Sequence, residues 1–145
     1  MDRFVGLDVH TASTTFAIVG PSGRHLGSRV VETNGRSLVE AVRVIAGNCH
    51  VCLEEGLQAE WVYEILKPHV AEIVVAKVDK RRQPKNDERD AFGLAERIRT
   101  HAVGTPVFKD TAPMAALREL VRLHAKVVGN VVRSKNRLKT LFRAR

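Results

Sequence analysis

Three β-rich runs crowd into the first 32 residues, at positions 4–9, 14–19 and 25–32, and the connections between them are too short to hold a helix. Parallel neighbours need a crossover of roughly a dozen residues or more, so consecutive runs this close pair as an antiparallel meander. The turn Gly20-Pro21-Ser22-Gly23 supports that reading. The pattern then changes period. Asn34-Gly35-Arg36-Ser37 opens a helix whose Leu38, Val39, Val42, Ile45 and Ala46 form an apolar face, and Gly47-Asn48 stops it. The apolar run His50-Val51-Cys52-Leu53 follows, and a strand reached through a helix lies most simply parallel to the first strand. Trp61, Val62, Ile65 and Leu66 predict a further amphipathic helix before Pro68, and Ile73-Val74-Val75-Ala76 a fifth strand. The predicted architecture is therefore α/β, a mixed sheet of five strands with flanking helices.

Within this frame the acids are oddly placed. Asp8 interrupts the buried run Phe4-Val5-Gly6-Leu7-Asp8-Val9, where a carboxylate is costly unless something pairs with it. Glu54 and Glu55 end the fourth strand abruptly before Gly56. In a sheet of this kind, functional side chains collect at the carboxyl ends of the strands, where Asp8 and Glu54 would both lie. Asp87 and Asp90, three residues apart, share one side of the next helix with the apolar stripe of Ala91, Leu94, Ala95 and Ile98. A first-turn aspartate has a bland explanation, since it caps the helix or answers its dipole. The sharper one is a divalent cation, which several converging carboxylates can hold against water.

Charge divides the chain. Residues 1–79 carry seven Lys or Arg against ten Asp or Glu, net −3, whereas residues 80–145 carry seventeen against six, net +11. The basic half is the nucleic-acid candidate, because such a surface attracts a phosphate backbone without sequence preference. Its cations fall in the loop Lys80, Arg81, Arg82 and Lys85, and in Arg133, Lys135, Arg137 and Lys139 of a long terminal helix. That helix is predicted from Thr111, as cap, with Leu117, Leu120, Val121, His124, Val127, Val128, Val131, Leu138 and Leu141 on a 3-4 spacing. The stripe is long for one small domain and predicts pairing with another chain or segment. Cys49 and Cys52 have the spacing of half a metal site, but they fall in a strand with no second half, and are read as buried apolar side chains. The chain shows neither a signal-peptide pattern nor an apolar run long enough for a membrane span, and a cytoplasmic location is expected.

Taken together, Gly6-Leu7-Asp8-Val9-His10, Leu53-Glu54-Glu55-Gly56 with Trp61, and Lys85-Asn86-Asp87-Glu88-Arg89-Asp90-Ala91 with Leu94-Ala95 resemble the DEDD transposases of bacterial insertion sequences. The resemblance implies an RNase H-like, RuvC-like domain at about 1–105, followed at 106–145 by a long basic helix that starts a coiled-coil segment. It implies that Asp8, Glu54, Asp87 and Asp90 are the catalytic acids and bind Mg²⁺ or Mn²⁺. It further implies DNA as substrate, a structured bridge RNA as guide, and an oligomer. Asn86 stands where a threonine is usual, a change compatible with a helix cap. Whether Glu54 or the adjoining Glu55 is the ligand depends on a one-residue register. Members of the family continue into a domain carrying a nucleophilic serine, which these 145 residues lack, so the chain is expected to be a fragment or a remnant unable to recombine alone.

Other readings stay open at this point. The chain could be a stand-alone RuvC-like nuclease, or a non-catalytic nucleic-acid-binding or dimerisation module in which a buried Lys or Arg pairs Asp8 and no metal binds. Gly6-Leu7-Asp8 with Ser13-Thr14-Thr15 also resembles the first phosphate hairpin of sugar kinases and actin, but the second phosphate motif is missing.

Overall fold

The computed structural model describes residues 1–77, 86–104 and 112–143. Two compact units are distinguished, Met1–Phe108 and Lys109–Arg145. In the first, β1 (Asp2–Val9), β2 (Ser13–Val19) and β3 (His25–Glu32) are followed by α1 (Gly35–Arg43), β4 (Asn48–Glu54), α2 (Ala59–Leu66), a 3-10 turn (Lys67–His69), β5 (Glu72–Ala76) and α3 (Asp87–Arg99). The sheet order is β3-β2-β1-β4-β5. The meander β1-β2-β3 is antiparallel, and β4 and β5 add in parallel on the other side of β1, as the connection lengths demand. This is the five-stranded mixed sheet with flanking helices expected of an RNase H-like domain.

Strand alternation splits the core into two layers. Val5, Leu7, Phe16, Ile18, Val51 and Leu53 pack with Leu38 and Val42 of α1 and Val62 and Leu66 of α2. On the other face, Cys52, Ala76, Phe4 and Val74 meet Leu94 and Ile98 of α3. Cys49 and Cys52 are free and buried, and burial pushes the Cys52 thiol up to about 12, so it behaves as a small apolar side chain.

α1 is capped by Asn34, whose side chain accepts from the Ser37 amide at 2.8 Å. It ends at Arg43, two residues short of Ile45, which is nonetheless buried. Gly47 takes φ +112°, and its backbone passes so close to Met1 that a Cβ would lie 2.1 Å from the Met1 carbonyl oxygen. Trp61, expected on the apolar side of α2, is 41% exposed, while Val62 and Leu66 carry the packing.

The second unit contributes α4 (Ala112–Arg143), 32 residues of continuous helix. Of its predicted stripe, Leu117, Leu120, Val121, Val127, Val128, Val131, Leu138 and Leu141 are all about half exposed. Arg133, Lys135, Arg137 and Lys139 lie on this helix and are exposed. Lys80, Arg81, Arg82, Lys85 and the expected cap Thr111 lie outside the described residues. No helix among the described residues is long and apolar enough to cross a membrane.

Candidate metal centre

Gly6 sets the geometry of the site. α3 crosses β1 so closely there that a Cβ on Gly6 would lie 1.8 Å from the Ala91 carbonyl oxygen and 2.6 Å from the Ala95 amide nitrogen. From this crossing, Asp8 lies two residues along the strand and Asp87 one helical turn back, steps of about 6.6 Å and 5.4 Å. The helix runs against the strand, so both steps lead in the same direction. Asp8 and Asp87 meet at the carboxyl end of β1.

His10 joins them. Its Nε2 lies 3.2 Å from Asp8 Oδ2 and 3.4 Å from Asp87 Oδ1. Asp8, His10 and Asp87 form the one group among the described residues whose potential ligand atoms all lie within 4.8 Å of one another. His10 lies just past the end of β1, two residues on from Asp8, and its side chain turns to the same side as that of Asp8. The loop that carries it is tied down: the His10 amide donates to the Ser13 carbonyl at 3.0 Å, and Thr33 Oγ1 donates to the His10 carbonyl at 2.8 Å. With its proton so used, Thr33 Oγ1 accepts from the buried Thr14 hydroxyl at 2.8 Å.

Asp8 is half-buried, and its carboxyl is held above the ordinary aspartate value. Burial is the largest cause; the charges of Asp87 and Asp90 add to it, and His10 opposes it by charge and by hydrogen bond. Asp90 thus reaches Asp8 through its field while lying outside the close trio. Glu54 also lies outside the trio, yet it and Glu55 line the same cleft as Asp8, Val9, His10 and Thr11, a space of about 540 Å³. β4 pairs Gly6 with Cys52 and Leu7 with Leu53. Because Cys52 packs on the α3 side, alternation brings Glu54 to that side too, next to Asp8. Glu55 follows the last strand residue and spends its amide on the Ala76 carbonyl at 2.8 Å. A second cleft of about 590 Å³, lined by Thr15, Ser28, Arg29, Val30, Asn86, Asp87 and Glu88, opens on the other side of Asp87.

The local sequence explains how Asp87 is left available. Asn86 is the cap of α3, its Oδ1 accepting from the Glu88 and Arg89 amides at 3.1 Å each. Capping therefore does not consume Asp87; of the bland reading only the other half stands, an acid in the first turn answering the helix dipole.

Residues 5–144 match the DEDD transposase family of the IS110 type, described as Transposase. The chain belongs to this transposase family. No curated protein matches it. Membership ties the chain to DNA transposition by insertion sequences, and the donor set suits the divalent cation such a transposase domain uses. Hard carboxylate oxygens predominate, with one imidazole nitrogen, a set that Mg²⁺ or Mn²⁺ accepts. The Asp8 carboxyl is raised chiefly by burial, with smaller contributions from the charges of Asp87 and Asp90, and a bound cation would oppose all of these. His10 is the site residue that sequence reasoning passed over, although its i+2 spacing from Asp8 was the signal for it.

Proposed function

We propose that residues 1–105 form the metal-binding domain of an insertion-sequence recombinase and that residues 106–145 form its basic oligomerisation and nucleic-acid helix. In this reading Asp8, Glu54, Asp87 and Asp90 hold Mg²⁺ or Mn²⁺ against a DNA phosphodiester, guided by a structured RNA. The observation that carries it is the meeting of half-buried Asp8 with Asp87 on the face of the sheet that Gly6 opens to α3.

A bound divalent cation would supply charge neutralisation at the phosphate oxygens. The protein's own part is positional. Asp8 is fixed by the ladder of β1, Asp87 and Asp90 by the first turn of α3, and Glu54 by the end of β4. The clefts flanking the trio leave room for a phosphodiester backbone to lie across the carboxyl ends of β1 and β4. Arg133, Lys135, Arg137 and Lys139 of α4, together with Lys80, Arg81, Arg82 and Lys85, supply phosphate contacts. The half-exposed apolar residues of α4 pair with a second copy of the chain.

A second reading has its own observation. His10 already links Asp8 to Asp87, so the trio can serve as a self-contained structural cluster in a non-catalytic nucleic-acid module. Calorimetric titration of the purified chain with MgCl₂ and MnCl₂ separates the two. Saturable binding that weakens by about tenfold or more in Asp8→Asn and Asp87→Asn supports the metal site. Absence of binding heat with either cation leaves the structural cluster.

A further inference from the structure

We infer that His10 is a ligand of the metal ion, giving the site a nitrogen donor that makes it prefer Mn²⁺ to Mg²⁺. The inference rests on the metal-site reading above and adds a residue outside the four acids. Three observations carry it. First, His10 Nε2 is 3.2 Å from Asp8 Oδ2 and 3.4 Å from Asp87 Oδ1. Adjacent ligand atoms of an octahedron with bonds of about 2.1 Å lie about 3 Å apart, so these separations are close to the edges of a coordination polyhedron. Second, no other nitrogen-bearing residue shares that close group among the described residues. Third, the ring is delivered by a braced loop: the His10 carbonyl is held by Thr33, and Thr33 by buried Thr14.

Selectivity follows from donor chemistry. Mg²⁺ keeps to oxygen ligands and sheds water reluctantly, whereas later divalent ions accept imidazole readily, and a mixed oxygen and nitrogen set shifts the balance toward them. His10 Nε2 and Asp8 Oδ2 share a hydrogen bond at 3.2 Å, in which an ionised carboxylate accepts from the Nε2–H tautomer. As a ligand, His10 would present the Nε2 lone pair, its one ring proton having passed through solvent to Nδ1 and its hydrogen bond to Asp8 Oδ2 having been given up. His10 is about two-fifths exposed, and its backbone makes the loop's hydrogen bonds, so replacing the side chain leaves the fold intact.

The test uses the full chain at one fixed pH, with wild type, His10→Ala, His10→Asn and Asp8→Asn compared for Mn²⁺ and Mg²⁺ affinity by calorimetry. Nitrogen coupling to bound Mn²⁺ is read in parallel by pulsed electron paramagnetic resonance. The expected result is an imidazole nitrogen coupling in wild type that disappears in both His10 variants. Mn²⁺ affinity should fall by about tenfold or more while Mg²⁺ affinity changes little, the size of loss seen on disturbing a metal site's supporting groups. Circular dichroism of each variant confirms folding. If Mn²⁺ binds and Asp8→Asn weakens it, but the His10 variants bind as tightly or more tightly with no nitrogen coupling in wild type, His10 is only a neutralising partner and this inference alone fails. If wild type binds neither cation, the metal-site reading fails with it.

Discussion

Asp8 shows what a carboxylate costs in a stretch of strand that is otherwise apolar. Its carboxyl sits in the strand beside residues that are fully buried, and burial together with Asp87 and Asp90 holds its pKa above the unfolded value of 3.8. Folding therefore favours the protonated form. The stabilising contribution is fully present below the unfolded value and is lost as pH rises through the folded one, so at neutral pH the ionised group opposes folding. Asp8→Asn keeps the shape and removes the charge. In chelator at pH 7 its thermal midpoint should exceed that of wild type by a few degrees, and the gain should vanish when the pH is lowered below 3.8. Thermal melts across pH check this. A lowered midpoint at pH 7 would mean that the hydrogen bond to His10 outweighs burial and repulsion.

At the level of elements, the crossing of α3 over β1 decides where the acids meet. The apolar stripe of α3, Ala91, Leu94, Ala95 and Ile98, is buried throughout, and two of these four are alanines because the helix backbone lies nearly on the strand. Gly6→Ala places a methyl where the Ala91 carbonyl oxygen already sits, and backbone cannot yield as a flexible side-chain tip can. The expected loss is about 3 kcal/mol or more, at the upper end of overpacking penalties. Chemical denaturation of the metal-free protein measures it. Divalent cation affinity should fall in the same variant, since a displaced α3 carries Asp87 away from Asp8 and His10. A variant as stable as wild type would show that α3 can lift without loss.

For the molecule as a whole, the basic and apolar surfaces of α4 divide by angle. At 100° per residue, Arg133 and Arg137 share one side with Arg122 and Lys126, while Lys135 and Lys139 fall close to the stripe of Val127, Val128 and Val131. The proposed phosphate contacts are thus unequal. Replacing Arg122, Lys126, Arg133 and Arg137 by Gln should weaken nucleic-acid binding and flatten its salt dependence by up to about one unit of slope per lost contact, with self-association kept. Replacing Val127 and Val131 by Ser should shift the chain toward monomer with its charge unchanged. Sedimentation and a salt series of binding measurements separate the two effects. A monomeric parent chain, or an unchanged salt slope, would count against the roles assigned to this helix.

The amino-acid sequence alone determined the order and type of every described strand and α-helix, because turn residues, connection lengths and the switch from period two to period 3.6 are local properties. It also singled out Asp8, Glu54, Asp87 and Asp90 as candidates, Asp8 because a carboxylate in an apolar run stands out without any structure. Which of them touch was a matter of tertiary packing. Contact between Asp8 and Asp87 depends on a helix crossing seventy-nine positions further along the chain, and Gly6 permits that crossing by lacking a side chain. Glu54 and Glu55 both line the cleft beside Asp8, and it is the register of β4 on β1, with the alternation of buried Cys52 and Leu53, that turns Glu54 to the face of Asp8. His10 needed both kinds of information: its spacing from Asp8 was legible in the strand, but the second carboxylate it meets arrives only with the folded helix.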